Sequence, residues 1–416
     1  NNGVDIMKIA GFCSGHDAAY GILEDGIPEI HNELERFNRI KDAEGDSMEL
    51  LFNTYSGFVG EIDYYTHCIG SKREDKYKAS FEKCKTLGKE WIQPGHHQSH
   101  AANAFYSSEF KEALIVTIDG GGLDYSTIQE KHWRTCFTVW NGKDNKIEEV
   151  EIWDPNVLHL GGIWSGCTTR IFGLSHRSPS QQGTVMGMAA LGDSNKYIEH
   201  FKYMHVPNKG QKLPTAWKQL SELAKSDEQE MFHIAAALQQ STEDVLKSVF
   251  DRLMEEHKPK NLCLSGGVSL NCVFAGKLFD WYPGINVFCD PIPYDAGLAL
   301  GAARYIYHDV LGNPRIYNSV QNATPYLGKT YSEEEITQAV EDMLKEKKDN
   351  MVIETKDDDF IIEEMMNEKI ISVFGGGSES GRRALGNRSI LADPRSMRNK
   401  DIVNEKVKHR QWFRPL

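Results

Sequence analysis
No two of the eight cysteines, Cys13, Cys68, Cys84, Cys136, Cys167, Cys263, Cys272 and Cys289, form a C-x-x-C pair. That excludes a zinc ribbon, argues against a disulfide framework, and predicts reduced thiols of a cytosolic protein, mostly acting as small buried hydrophobes. No apolar run approaches the ~18 residues of a membrane helix. The start, "NNGVDIMKIA", lacks a basic stretch followed by an apolar one, so no secretory signal is read, and Met7 reads as a natural start. A long basic arm is also missing. With a net charge of −13 the overall field repels nucleic acid, and the run from Arg382 to Arg414 is the one basic exception. What is present is 416 residues, 40% hydrophobic and 26% charged, enough for two or three domains with a sizeable core.

Two segments read as versions of one another. "IAGFCSGHDAAYGILEDGIPEIHNELE" predicts strand, glycine loop, strand, Asp25-Gly26 turn and strand. "ALIVTIDGGGLD", continued by "CFTVWNGKDNKIEEVEIW", predicts the same order with an Asn141-Gly142 turn. Both dipeptides are strong hairpin signals. A repeated unit of this kind predicts two similar α/β halves facing a shared cleft. Residues 229–256 carry apolar positions at helical spacing. "NLCLSGGVSLNCVFAGKLF" and "INVFCDPIPYDAGLALGAARYIY" each read as strand, turn and helix. Ser332 with Glu335 forms a capping box opening a helix from 333 to about 347. It follows "NATPYLGKTY", which predicts a domain boundary, with domains at 1–325 and 326–416. The short stretch after position 350 suggests that the second domain is incomplete.

"PGHHQSHAANAF" puts His96 and His100 at i and i+4, one turn apart on one helix face, a spacing used for transition-metal sites. His97 is turned away. Alone, the pair is a weak signal, and the simpler alternative is a solvated first turn whose imidazoles cap or bond backbone. Asp119 ends a buried strand before three glycines, where α/β proteins place metal or phosphate ligands, although an Asx-turn would also put it there. Gly120 and Gly121 allow close approach of a phosphate. Asp295 opens a helix of small residues and is either an N-cap or a fourth ligand. Two imidazoles with two carboxylates suit iron(II), manganese or zinc. Gly266, Gly267 and Asn271 form a turn into a helix N-terminus, a nucleotide contact. His16, in the first glycine loop, is a candidate proton acceptor for a hydroxyl nucleophile, or a buried imidazole held by backbone. Arg383, Asn387 and Arg388 in "GRRALGNRS" are spaced to present donors to phosphate or carbamate oxygens, with Lys400, Lys408, Arg410 and Arg414 on the same basic surface; the alternative is a solvated basic face.

The set "GHDAA", "ERFNRIK", "HHQSHAANAF", "DGGG", "GTVMGMA", "SGGVSLNC", "DPIPYDAGLALGAA" and "GRRALGNRSILADPR", closing with "NEKVKHRQWFRP", resembles the O-carbamoyltransferases of nodulation, cephalosporin and tobramycin pathways, in order along nearly the whole chain. The resemblance implies a duplicated actin/Hsp70-like α/β domain, similar to the universal tRNA threonylcarbamoyl-transfer proteins, followed by a YrdC-like domain. The second would make carbamoyl adenylate from carbamoyl phosphate and Mg-ATP, held by Arg383, Asn387 and Arg388. The first would pass the carbamoyl group to an acceptor hydroxyl and release AMP. It also implies that His96, His100, Asp119 and Asp295 bind iron(II), that His16 orients or deprotonates the acceptor, and that Arg39 and Lys41 contact it. Two departures stand out: Arg382 replaces the family's proline, and family members continue well beyond "FRP", so the adenylate-forming domain is expected to be incomplete.

Three other readings compete. A tRNA threonylcarbamoyladenosine-type transferase is disfavoured by the missing H-x-E-G-H motif. An actin-fold kinase has no use for paired histidines, and a nucleotide-binding scaffold would make them structural. The expected acceptor is a small molecule such as a sugar or antibiotic scaffold. A hydroxymethyl group on a modified pyrimidine, such as 5-hydroxymethylcytosine, free or in nucleic acid, is the less favoured option. No membrane partner is expected, and a homodimer is compatible with the reading.

Overall fold
The computed structural model describes residues 6–55, 59–68, 75–177, 179–202, 205–206, 210–211, 215–346 and 357–416. They group into two compact units, Asn1–Thr324 and Pro325–Leu416.

In the first unit, β1 (Lys8–Cys13), β2 (Ala19–Glu24) and β3 (Ile27–Glu33) form an antiparallel meander. Asp25 and Gly26 sit at φ 46° and 85°, the left-handed pair that a two-residue hairpin turn requires. β4 (Tyr64–His67) then adds to β1 in parallel, giving the order β3-β2-β1-β4. The second sheet repeats this plan. β5 (Glu112–Ser126), β6 (Lys131–Lys143) and β7 (Lys146–Trp153) form another antiparallel meander. After the two-residue pair β8 (His205–Val206) and β9 (Gly210–Gln211), β10 (Asn261–Ser265) adds to β5 in parallel and β11 (Asn286–Cys289) adds to β10. The order is β11-β10-β5-β6-β7.

Two local expectations are corrected. The second hairpin turns at Asp144 and Asn145, not at Asn141-Gly142, which lie inside β6; Lys143 pairs with Lys146 and Asp144 takes φ 50°. Gly142 is glycine for a different reason. A Cβ there would lie 2.7 Å from the Phe105 ring, so the missing side chain lets a helix pack on the strand. The glycine run after Asp119 is likewise not a loop but a bulge within the long β5. Ile118 pairs with Phe137 and Gly122 with Thr135, so Asp119, Gly120 and Gly121 face Cys136 alone. Bulges of this kind re-aim a side chain out of the ladder.

Helix His96–Ser107 packs on β5 and β10, and helix Leu298–Arg304 packs on β1 and β2. The two helices also pack on each other, forming a central layer between the sheets. Every residue of Leu298–Arg304 is buried, as are all but Gln98 of His96–Ser107. Helices enclosed on all sides need small residues, which explains "HAANAF" and "GLALGAA". The outer face of the second sheet is closed by helices Glu228–His257 and Cys272–Trp281 over Leu114, Val116, Phe137, Leu262 and Leu264.

The second unit holds helix Glu333–Glu346, helix Asp358–Met366 and an antiparallel pair, β12 (Ile371–Phe374) with β13 (Arg388–Leu391). The capping box is reciprocal: Glu335 N–H donates to Ser332 Oγ at 3.2 Å, and Ser332 N–H to Glu335 Oε2 at 3.0 Å. Among the described residues no helix is long and apolar enough to cross a membrane.

Candidate metal centre
Helix His96–Ser107 begins where Asp124 receives it. The buried Asp124 carboxylate, on the far end of β5, accepts His97 N–H at 2.7 Å and Gln98 N–H at 3.1 Å and also bonds Thr135 Oγ1. It thereby satisfies two of the amides that every helix start leaves unpaired. A Cβ at Gly95 would stand 2.3 Å from the Asp124 carboxylate, so glycine precedes the first histidine. With its first turn held, the helix turns His96 and His100 toward Asp119 and Asp295.

Four side chains converge there. His96 Nε2 donates to Asp119 Oδ2 at 3.3 Å and lies 3.7 Å from Asp295 Oδ1, which is 3.8 Å from His100 Nε2. One ligand atom from each of His96, His100, Asp119 and Asp295 can be chosen so that all lie within 4.8 Å of one another. All four residues are buried. Ligands ~2.1 Å from a shared transition-metal ion stand about 3–3.5 Å apart, close to the nearer of these spacings. Neither ring nitrogen of the fully buried His100 makes a hydrogen bond. A buried polar group without a partner is costly, and a cation removes that cost. The donor set therefore fits a divalent ion.

The charges agree. Burial presses the His96 imidazole toward neutrality, but the Asp295 and Asp119 carboxylates overcome it and raise its pKa to about 9. Burial and the adjacent His96 cation push His100 down to about 3. Asp119 is held well below the usual carboxylate range, against its burial, by His96. The cluster keeps two carboxylates beside one imidazolium, a balance suited to exchanging a proton for a cation.

Asp295 is not a side-chain cap of its helix; its carboxylate faces the histidines. His16, more than half exposed, bridges outward from it, with Nε2 3.4 Å from Asp295 Oδ2 and Nδ1 3.2 Å from Asp17 Oδ2. It is not the buried, backbone-held imidazole of the alternative reading. His97 points elsewhere: its Nδ1 lies 2.6 Å from Thr117 Oγ1, which continues to Thr138 Oγ1 at 2.6 Å.

The glycines have distinct tasks. Gly122, not singled out from the sequence, is required by His96, because a Cβ there would sit 2.1 Å from the imidazole Cγ. Gly120 has open space where its Cβ would be, and Gly161 packs edge-on against its backbone. Gly121 adopts φ +127° and donates its N–H to Asp119 Oδ2 at 3.2 Å. Gly266, at φ +92°, turns tightly under the Ile118 carbonyl, and Gly267 N–H donates to Asp119 Oδ1 at 2.8 Å. Asn271 caps helix Cys272–Trp281 at Phe274 N–H (3.2 Å) and donates to Gln239 Oε1 at 2.8 Å. His159, also not anticipated, lies with Nε2 2.8 Å from the Gly120 carbonyl. Arg39 and Lys41 are exposed on the turn after helix Leu34–Asn38, with Arg39 at φ 61°.

In the second unit the buried Glu379 organises the arginine-rich loop. Its Oε1 accepts the N–H groups of Leu385 (2.7 Å), Asn387 (2.8 Å) and Arg388 (3.2 Å), and Arg388 Nε donates to Oε2 at 2.9 Å. Arg388, expected to face an anion, is engaged by Glu379, and Asn387 Nδ2 donates to the Gly377 carbonyl at 2.8 Å. Arg383 is exposed. Burial, with the Arg410 and Arg383 guanidiniums nearby, lowers the pKa of Arg414, so these three arginines gather.

Doubled mixed sheets around a buried His2Asp2 cluster define an α/β unit with a metal-competent site. Residues 25–304 match the carbamoyltransferase N-terminus family and residues 362–416 the carbamoyltransferase C-terminus family, and the chain belongs to this carbamoyltransferase family. It is 33% identical over 338 residues to the nodulation protein NolO of Bradyrhizobium diazoefficiens, covering 77% of this chain and 57% of that one. It is 32% identical over 348 residues to an uncharacterized Synechocystis protein, covering 77% and 54%. The 3'-hydroxymethylcephem-O-carbamoyltransferase of Streptomyces clavuligerus is 28% identical over 242 residues, covering 56% and 43%. The chain thus spans about half the length of these curated relatives. Among solved structures, the activator of 2-hydroxyisocaproyl-CoA dehydratase from Clostridium difficile aligns over 73% of this chain and 96% of its own at a TM-score of 0.43 and 14% identity.

Proposed function
We propose that the chain is an ATP-dependent O-carbamoyltransferase of the cytoplasm whose first unit performs the transfer step. The buried cluster of His96, His100, Asp119 and Asp295, with an exposed His16 reaching Asp295, carries this reading. The four residues would hold a divalent ion, iron(II) in this reading, with zinc or manganese served by the same donors. Such an ion supplies Lewis-acid polarisation of the carbamoyl carbonyl.

The protein's own groups do the rest. Asp17 Oδ2, 3.2 Å from His16 Nδ1, orients the ring so that Nε2 serves as the proton acceptor. The acceptor oxygen bonds to the carbamoyl carbon, the bond from that carbon to the adenylate oxygen breaks, AMP departs, and the hydroxyl proton passes to His16. Gly120, Gly121, Gly266, Gly267 and Asn271 form the nucleotide site in this reading, in which Gly121 and Gly267 N–H are held on Asp119 and Asn271 caps its helix, so that these residues shape the turn rather than donate to phosphate. Arg39 and Lys41 contact the acceptor. The second unit, read as part of a YrdC-like domain, contributes Arg383, Asn387 and Arg388 to forming carbamoyl adenylate from carbamoyl phosphate and Mg-ATP. There Arg383, with Arg410 and Arg414, supplies charge, while Arg388 and Asn387 shape the loop around Glu379. The name of the Streptomyces relative, 3'-hydroxymethylcephem-O-carbamoyltransferase, supports a hydroxyl acceptor on a small molecule.

The test supplies labelled carbamoyl phosphate and ATP with a panel of sugars, hydroxymethyl-bearing antibiotic scaffolds and hydroxymethylpyrimidine nucleosides, read by product mass and AMP release. A carbamoylated product lost in His96→Ala and His100→Ala is expected. No product with any acceptor would reject the reading.

A further inference from the structure
The helix carrying His96 and His100 continues the same stripe through Asn103 and Ser107, at successive steps of three or four residues. The first two positions face the cluster, and the last two meet the segment that carries Asp295. Asn103 Nδ2 donates to Asp290 Oδ2 at 2.6 Å, and Arg304 Nη1 bonds Ser107 Oγ. Asp290 and Arg304 bracket Asp295 in sequence, at the end of β11 and in the helix that follows.

Between these bonds the backbones touch. A Cβ at Gly301 would lie 2.0 Å from the Ser99 carbonyl oxygen, and one at Gly297 would lie 3.0 Å from Asn103 Nδ2. The two elements therefore meet at van der Waals contact with no side chain between them to take up error. Asp290 is fixed in turn, accepting Ile292 N–H at 2.9 Å and Ser265 Oγ at 3.2 Å. Asn103, Asp290, Ser107 and Arg304 are all buried.

We propose that Asn103 and Asp290 are a positioning pair whose hydrogen bond sets the spacing between the His96/His100 helix and Asp295, and so tunes the affinity and geometry of the metal centre. The inference rests on the metal reading above. A hydrogen bond between two ligand-bearing elements acts as an outer-shell contact does, by fixing where the donors stand before the ion arrives, and losing such contacts typically costs 10–100-fold in metal affinity. Neither residue belongs to the four-residue ligand cluster.

The experiment titrates metal-stripped protein with Co(II), reading the dissociation constant and the visible ligand-field spectrum, with circular dichroism and melting temperature alongside. N103A is expected to bind Co(II) about 10–100-fold more weakly, with altered band positions. The exchanged pair N103D/D290N, which keeps one amide donating to one carboxylate, is expected to return toward the wild-type spectrum. T242V, which removes the buried bond from Trp164 Nε1 (3.0 Å) in another part of the unit, is the stability control and should leave Co(II) binding unchanged. N103A that melts lower but binds Co(II) with wild-type affinity and spectrum would overturn the proposal and leave the metal reading intact. Wild-type protein that binds no Co(II) would remove the metal reading, and the positioning role with it. Should N103A fail to fold, a folded N103D/D290N protein with impaired Co(II) binding overturns the proposal, and wild-type binding in that protein sustains it.

Discussion
Asp119 holds two elements at once: its Oδ2 lies 3.3 Å from His96 Nε2, while its Oδ1 accepts the Gly267 N–H at 2.8 Å. One carboxylate thus joins the histidine helix to the glycine turn after β10. The bulge in β5 makes this possible by turning both oxygens away from the ladder. Asp119→Asn keeps an oxygen for Gly267 but loses the negative charge facing His96. Metal binding should fall by at least about tenfold. Metal content after dialysis checks this; wild-type stoichiometry in the variant would remove Asp119 from the ligand set.

The neighbouring glycines separate steric need from mere flexibility. Gly122→Ala drives a Cβ into the His96 ring, and Gly120→Ala meets nothing within 4 Å of its own Cβ. The first should lose metal binding and the second should keep it. Parallel titrations of the two folded variants decide the matter, and equal behaviour would mean that the His96 ring can move aside.

Acid should unfold the first unit early. Burial holds the His31 and His308 imidazoles down to about 4, with His31 Nε2 2.8 Å from the Ala296 carbonyl. Between about pH 4 and the ordinary value near 6.5, the unfolded chain binds protons that the folded one refuses. Stability from these groups is therefore complete above about pH 6.5 and lost as pH falls toward 4, on the order of 3 kcal/mol for each. Urea midpoints measured from pH 7 to 4 report the slope. His308→Gln should flatten it by about 1.4 kcal/mol per pH unit within that window; an unchanged slope would exclude His308.

Glu379→Ala should disorder the arginine loop of the second unit. It strands the N–H groups of Leu385, Asn387 and Arg388 together with the Arg388 guanidinium, a loss of about 3–5 kcal/mol for a broken buried pair. Glu379→Gln, which retains an acceptor, should cost less. Proteolysis kinetics between residues 379 and 388 distinguish the two, and equal resistance of Ala and Gln variants would argue against the carboxylate as organiser.

Local chemistry was legible wherever a short stretch suffices. Asp25-Gly26 announced its turn because two left-handed residues are needed there, and Ser332 with Glu335 announced a helix start because each satisfies the other's amide. His96 and His100 shared a face because helical spacing alone puts them there. The repeat was legible from the order of strands and turns. The Asn141-Gly142 turn was misplaced because the same dipeptide also serves where a helix needs room, and only the Phe105 ring shows which applies. The arginines of the second unit looked equivalent by composition. The structure distinguishes Arg388, engaged by a buried glutamate, from Arg383, which is exposed.

Sequence alone determined the helix face and the doubled sheet plan, because each depends on neighbours a few residues away; Asp119, expected at a strand end, sits instead in a bulge within β5. Tertiary structure decided which carboxylates meet which histidines, why Gly122 must lack a side chain, and how Asn103 comes to hold Asp290. Those relationships join residues such as His96 and Asp119, 23 positions apart, and His100 and Asp295, 195 positions apart, and they arise from two sheets closing on one shared layer of helices.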